Sequence, residues 1–171
     1  MAVYTNINKK DISLINNQFE IEKIIQFKGI KKGIENTNYL LKTKKNKFIL
    51  TIFEKRVSNK EIPFFMKLME TLNSLNINCP KPLKNKKGKY LIRLKRKNAC
   101  IVSFLNGKDK NKLGLKNCFE VGKLIAKIHK ITKNMKIARK NSMGINKLSA
   151  LLRSIKFRSQ KFSNLGKFLK N

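Results

Sequence analysis

Apolar residues recur along this chain with two periods. Ile12, Ile15 and Phe19 fall at helical spacing and predict a helix over residues 8–19, with Asn8 as cap and Asp11 at its third position. Short β-rich runs follow at 24–29 (IIQFKG), 38–43 (NYLLKT) and 48–53 (FILTIF), the last two joined by the polar turn 44–46. Phe65, Leu68, Met69, Leu72 and Leu75 return to the helical period and predict a helix over 63–76. Ser58 and Glu61 have capping-box spacing at its start, but Pro63 suits a first helical position better, and Cys79-Pro80-Lys81-Pro82 should end it. Strands are expected near 90–94 and 99–105, closed by Asn106-Gly107. A last strong helix is expected over 118–132, its apolar face made by Cys118, Val121, Leu124, Ile125 and Ile128, with Asn117 and Glu120 spaced to cap it. The stretch 139–171 is basic, carries Phe157, Phe162 and Phe168, and has poor helix caps.

The order is helix, three strands, helix, two strands, helix. That is an α+β arrangement, the order of a protein-kinase-like N-terminal lobe: a five-stranded antiparallel sheet with one helix. The chain divides on this reading into a lobe with a leading helix at 1–106 and the first helices of an incomplete C-terminal lobe at 107–171. With 171 residues and 41% apolar content, a real core is affordable.

Charge changes the picture next. There are 41 basic and 9 acidic residues, net +32, which invites a nucleic-acid reading. Lysine outnumbers arginine 35 to 6, Ile (20) and Asn (21) are abundant, and Ala is scarce at 5. That is the bias of AT-rich codons, whereas nucleic-acid readers lean on the planar arginine fork. The lysines are also scattered from Lys9 to Lys170, so compositional drift accounts for the charge better than a binding stripe. Cys79, Cys100 and Cys118 are odd in number and widely spaced, which fits free thiols in a reducing cytoplasm. No apolar run reaches the ~20 residues of a membrane span, and residues 1–15 hold no continuous apolar core of a signal peptide.

Candidate chemistry centres on 27–41 (FKGIKKGIENTNYLL). In a kinase lobe the turn between the first two strands covers the nucleotide phosphates, and glycine lets backbone N–H groups come close. Gly29 and Gly33 suit that task, although the spacing departs from G-x-G-x-x-G. The third strand puts Thr51 where a phosphate-binding lysine would stand; Lys55 or Arg56 just beyond could supply the charge, or could simply be solvated. Glu70 occupies the place of the helix glutamate that orients such a base, facing either inward or the rim. Val102, Ser103, Phe104 and Leu105 would run into a hinge offering backbone groups to adenine. His129, the one histidine, reads as a core or helix-end residue.

These runs resemble a known family. MAVYT (1–5), FKGI (27–30), ENTNYLL (35–41), FILTIFEKRV (48–57), IPFFMKLMETL (62–72), CPKP (79–82), ACIVSFLNG (99–107) and EVGKLIAKIH (120–129) look like homoserine kinase of the aminoglycoside-phosphotransferase-like type, over most of residues 1–145. A threonine at position 51 is also typical of that family. The resemblance implies transfer of the ATP γ-phosphoryl group to the side-chain hydroxyl of L-homoserine, with Mg²⁺, in threonine biosynthesis. It places Gly29 and Gly33 in the phosphate loop and Val102–Leu105 in the hinge, and it assigns no residue to homoserine.

The chemistry also needs an H-x-D…N loop and a D-F-G-like segment. The two aspartates, Asp11 and Asp109, belong to neither, and His129 is followed by Lys130 and Ile131. The chain therefore reads as truncated and inactive alone: a fragment, one piece of a split enzyme whose second chain brings the C-terminal lobe, or a decayed copy. Two rival readings remain, a non-enzymatic basic nucleic-acid-binding protein and a partner-dependent pseudokinase. Adventitious polyanion binding is expected in every case.

Overall fold

The computed structural model describes residues 3–55, 57–107, 110–137, 139, 144, 145, 148 and 149. The expectations on Arg56, on Asp109 and on the Phe-containing stretch 150–171 lie outside the described residues. The chain forms two compact units, Met1–Ile137 and Ala138–Asn171, and every element below belongs to the first.

Asn8 and Asp11 start the first helix as the spacing requires. The Asn8 side chain accepts from the Lys10 and Asp11 amides, and the Asp11 carboxylate accepts from the Asn8 amide at 2.8 Å. Helix α1 runs Lys9–Gln18 and buries Ile12 and Ile15, with Phe19 buried just beyond. Strands β1 (Gln26–Gly29), β2 (Thr37–Lys42), β3 (Lys47–Ile52), β4 (Leu91–Leu94) and β5 (Lys97–Ser103) form one antiparallel sheet in the order β1-β2-β3-β5-β4. The expected order of elements and the five-stranded sheet are both present.

Alternation assigns the two faces of the sheet. Tyr39, Leu41, Leu50, Ile52, Ile92, Leu94, Ala99 and Ile101 pack with α1 into the main core. Cross-strand partners share a face, so the register places Asn38 beside Thr51, Leu40 beside Ile49, Ile49 beside Val102 and Thr51 beside Cys100 on the other side. Helix α2 (Ile62–Ser74) covers the Cys100–Val102 part of that second face through Ile62 and Met66, with Phe65 and Met69 alongside. Asn38, Leu40, Ile49 and Thr51 are left half-buried.

Two expectations about α2 change. Its buried face is Ile62, Met66 and Leu72, whereas Leu75 caps the end and is 44% exposed. It also ends at Ser74, short of the expected 76 and by a cap of its own. Asn76 takes φ 56°, and the amides of Asn76 and Ile77 bond the carbonyls of Asn73 and Leu72, a Schellman ending. Helix α3 spans Leu115–Thr132 and starts earlier than the Asn117–Glu120 spacing suggested. Gly114 is its cap, and the Gly114 amide donates to the Asn117 side chain at 3.4 Å. None of its residues is buried, and His129 is exposed, not packed in a core.

Candidate functional site

The half-buried face of β1–β3 is bounded by the β1–β2 loop at one end and by the segment that follows β5 at the other. The loop, residues 30–36, is closed at its base by the Ile30 amide donating to the Asn38 carbonyl at 2.8 Å. Gly33 sits there at φ 115°, a conformation that other residues rarely adopt. Lys31 and Lys32 in the same loop are exposed.

Gly29 has a different reason. A Cβ at this position would lie 2.9 Å from Val3 Cγ2 and 3.5 Å from the Tyr39 ring, on the face that carries α1. The missing side chain makes room for the N-terminal segment, not for a ligand on the opposite face.

Thr51 lies on the half-buried face, where its hydroxyl donates to Asn38 Oδ1 at 2.8 Å. The pair forms a neutral hydrogen-bonding row beneath the loop, and Leu40 and Ile49 form an apolar row one step farther from it. Asn38, Leu40 and Ile49 were not singled out in the sequence. Their signal is the two-residue period shared with Thr51, which becomes legible only when the register is known. Lys55 is exposed, and no phosphate-binding cation takes the Thr51 position.

At the end of β5, Val102 is buried and Ser103 closes the strand, so Phe104 and Leu105 of the expected hinge lie beyond it. The Ser103 amide donates to the Lys81 carbonyl and the Phe104 amide to the Lys47 carbonyl, so those two donors are occupied. Among the described residues, nothing bonds the Leu105 amide or the Phe104 carbonyl. A cavity of about 390 Å³ opens beside Ser103, Phe104 and Asn106.

The structure directs Glu70 to the rim. Its carboxylate accepts from the Tyr90 hydroxyl, and from Lys84 and Lys67 at 3.3 Å each. The Tyr90 bond, then the Lys84 bond, pull its pKa down to about 2. Glu70 is thus engaged with residues 84–90 and not with β3. A cavity of about 720 Å³ lies against Glu70, Asn73, Lys84 and Tyr90. Cys100 is buried in the α2 interface, which pushes its thiol up to about 12 and leaves it inert at neutral pH. Among the described residues, no group of three or more His, Cys, Asp or Glu could hold a metal ion.

Residues 26–158 match the phosphotransferase enzyme family, and this match spans the β1–β2 loop, the Thr51 strand and the end of β5. The chain belongs to that family. As a phosphotransferase-family chain it is 38% identical over 146 residues to a homoserine kinase of Parvibaculum lavamentivorans, covering 85% of this chain and 46% of that protein. It is 36% identical over 159 residues to a homoserine kinase of Beijerinckia indica, covering 93% of this chain and 50% of that protein. The chain thus spans about half the length of the curated relatives it matches. The fold is that of a spectinomycin phosphotransferase solved with ADP and spectinomycin (TM-score 0.65, 14% identity, 97% of this chain and 54% of that one). An aminoglycoside phosphotransferase from Alicyclobacillus acidocaldarius shares it too (TM-score 0.63, 7% identity, 88% of this chain and 41% of that one). The protein-kinase-like fold expected from the order of elements is therefore the family's fold. Among the described residues, no helix is long and apolar enough to cross a membrane.

Proposed function

We propose that this chain supplies the ATP-binding part of a homoserine kinase, which transfers the γ-phosphoryl group of ATP to the side-chain hydroxyl of L-homoserine. The observation that carries the reading is the 38% identity to a protein of that name over 146 residues. The half-buried face suits its part. Leu40 and Ile49 offer an apolar bed for adenine, and the hinge Val102–Leu105 offers the Phe104 carbonyl and Leu105 amide to its edge. Thr51 and Asn38 bring a neutral polar pair below the loop, and the backbone amides around Gly33 are the loop's donors for the phosphates.

In this reading Gly29 shapes the loop from behind. Glu70 holds α2 against residues 84–90 and does not orient a base. Residues from 107 onward begin a second lobe, and the segment or chain that completes it is a partner, as is L-homoserine. The described residues do not fit Mg²⁺, and no step assigned here to the chain runs through it. A reducing cytoplasm suits an ATP-using enzyme with three free thiols.

Titration calorimetry tests the reading. The 171-residue chain should bind ADP, and Thr51→Glu should weaken ADP at least ~10-fold by setting a like charge under the phosphates, with adenosine unaffected. No ADP binding, or an unchanged Thr51→Glu, would overturn it. The 171 residues hold neither an H-x-D…N nor a D-F-G-like segment, so this chain alone should show no homoserine-dependent ATP turnover. Turnover by the pure chain would refute that division of labour.

A further inference from the structure

The segment Val3–Ile7 is fastened to both ends of the β1–β2 loop. Val3 packs where Gly29 lacks a side chain. The amides of Tyr4 and Thr5 donate to the Thr37 hydroxyl at 2.9 and 3.1 Å, at the point where the loop enters β2. The Tyr39 hydroxyl donates to the Thr5 carbonyl at 3.0 Å and accepts from the Ile7 amide at 3.3 Å. Beneath them the Glu54 carboxylate accepts from the Thr5 and Thr37 hydroxyls, each at 2.7 Å, and from Lys97. Burial raises the Glu54 pKa, but the bonds from Lys97, Thr5 and Thr37 outweigh it and keep the group charged. The Glu54 amide in turn donates to Asn36, the last residue of the loop, at 3.3 Å.

One contact reaches the loop itself: the Tyr4 hydroxyl donates to the Ile34 carbonyl at 3.1 Å. Tyr4 is 56% exposed and Ile34 80% exposed, so burial of the tyrosine ring is not what this residue contributes. It contributes a hydrogen bond to the backbone at the exposed part of the loop. We propose that Val3–Ile7 is a strap that sets the position of the β1–β2 loop, with Tyr4 as the positioning residue. Its effect on a ligand rests on the reading that this loop covers phosphates. Its effect on the loop does not.

The two parts separate by experiment. In ¹⁵N relaxation of the ligand-free 171-residue chain, Tyr4→Phe should lower the order parameters of residues 31–36 from the rigid range near ~0.85 toward ~0.6. The unfolding temperature should stay unchanged. Gly29→Ala should do the same by driving a Cβ against Val3, and Val3→Ala added to it should restore loop order. Unchanged order in Tyr4→Phe overturns the strap whether or not nucleotide binds. By calorimetry, Tyr4→Phe should weaken ADP by about three- to tenfold, the worth of one neutral hydrogen bond, and leave adenosine unaffected. Equal ADP affinity in a chain that binds ADP also overturns the proposal. A wild-type chain that binds neither ligand overturns the phosphate reading, and the relaxation data then decide the strap alone.

Discussion

At Glu70 three donors, Tyr90, Lys84 and Lys67, converge on one carboxylate at the rim of α2. Its pKa falls from 4.5 to about 2, yet 36% of the side chain meets solvent, so screening limits what the cluster adds to stability. The sign is nevertheless defined. A carboxylate whose folded pKa is depressed stabilises the fold above its unfolded value and loses that contribution as pH falls through the folded one. Urea midpoints measured against pH should therefore show the wild-type chain losing stability between pH 4.5 and about 2. Glu70→Gln should lack that portion of the slope. Glu22 and Glu54 are depressed as well, so the difference between the two curves is the quantity to read. Parallel curves would show that other groups carry the acid sensitivity. The sequence placed Glu70 on the right helix, but its direction depended on Tyr90 and Lys84, which a chain reversal brings to it.

Helices α1 and α3 carry equally clear apolar stripes and meet opposite fates. In α1 the stripe closes the main core, and Ile15 is fully buried. In α3, Val121 is 53% and Ile125 47% exposed. Truncating Ile15 to Ala should cost about 2–5 kcal/mol through lost burial and a residual cavity. Val121→Ala should stay within about 0.5 kcal/mol, as surface changes do. Guanidinium unfolding of both variants checks the contrast, and a large loss at Val121 would mean that the α3 stripe is covered in solution. Periodicity reports that a helix has an apolar face; whether anything packs on it depends on residues far away in sequence. Local chemistry did better at helix ends. The Asn8–Asp11 box was legible because both partners lie within one turn, while the stop of α2 at Asn76 was hidden behind the louder signal of the prolines.

For the whole molecule, a net charge of +32 on 171 residues means that unscreened repulsion opposes the compact state. Raising sodium chloride from about 0.05 to about 0.5 M shortens the Debye length to a few ångströms and should raise the unfolding temperature. A fall would mean that pairs such as Lys97–Glu54 and Lys95–Asp11 outweigh the repulsion. Of these two pairs, Lys97–Glu54 is the better shielded, its Glu54 side chain being 10% exposed.

The sequence by itself determined the elements, their order and the family, because hydrophobic period, turn residues and the matching runs are all local properties of the chain. It also placed Thr51 in the third strand and Gly33 in the connection between the first two. Only the tertiary structure decided which residues share a face and which contacts bind the ends together. Asn38 meets Thr51 through register. Gly29 is small because of Val3. The Thr5–Glu54–Lys97 cluster joins three positions up to 92 residues apart. No local pattern encodes such meetings: they follow from sheet topology, which sequence spacing does not contain.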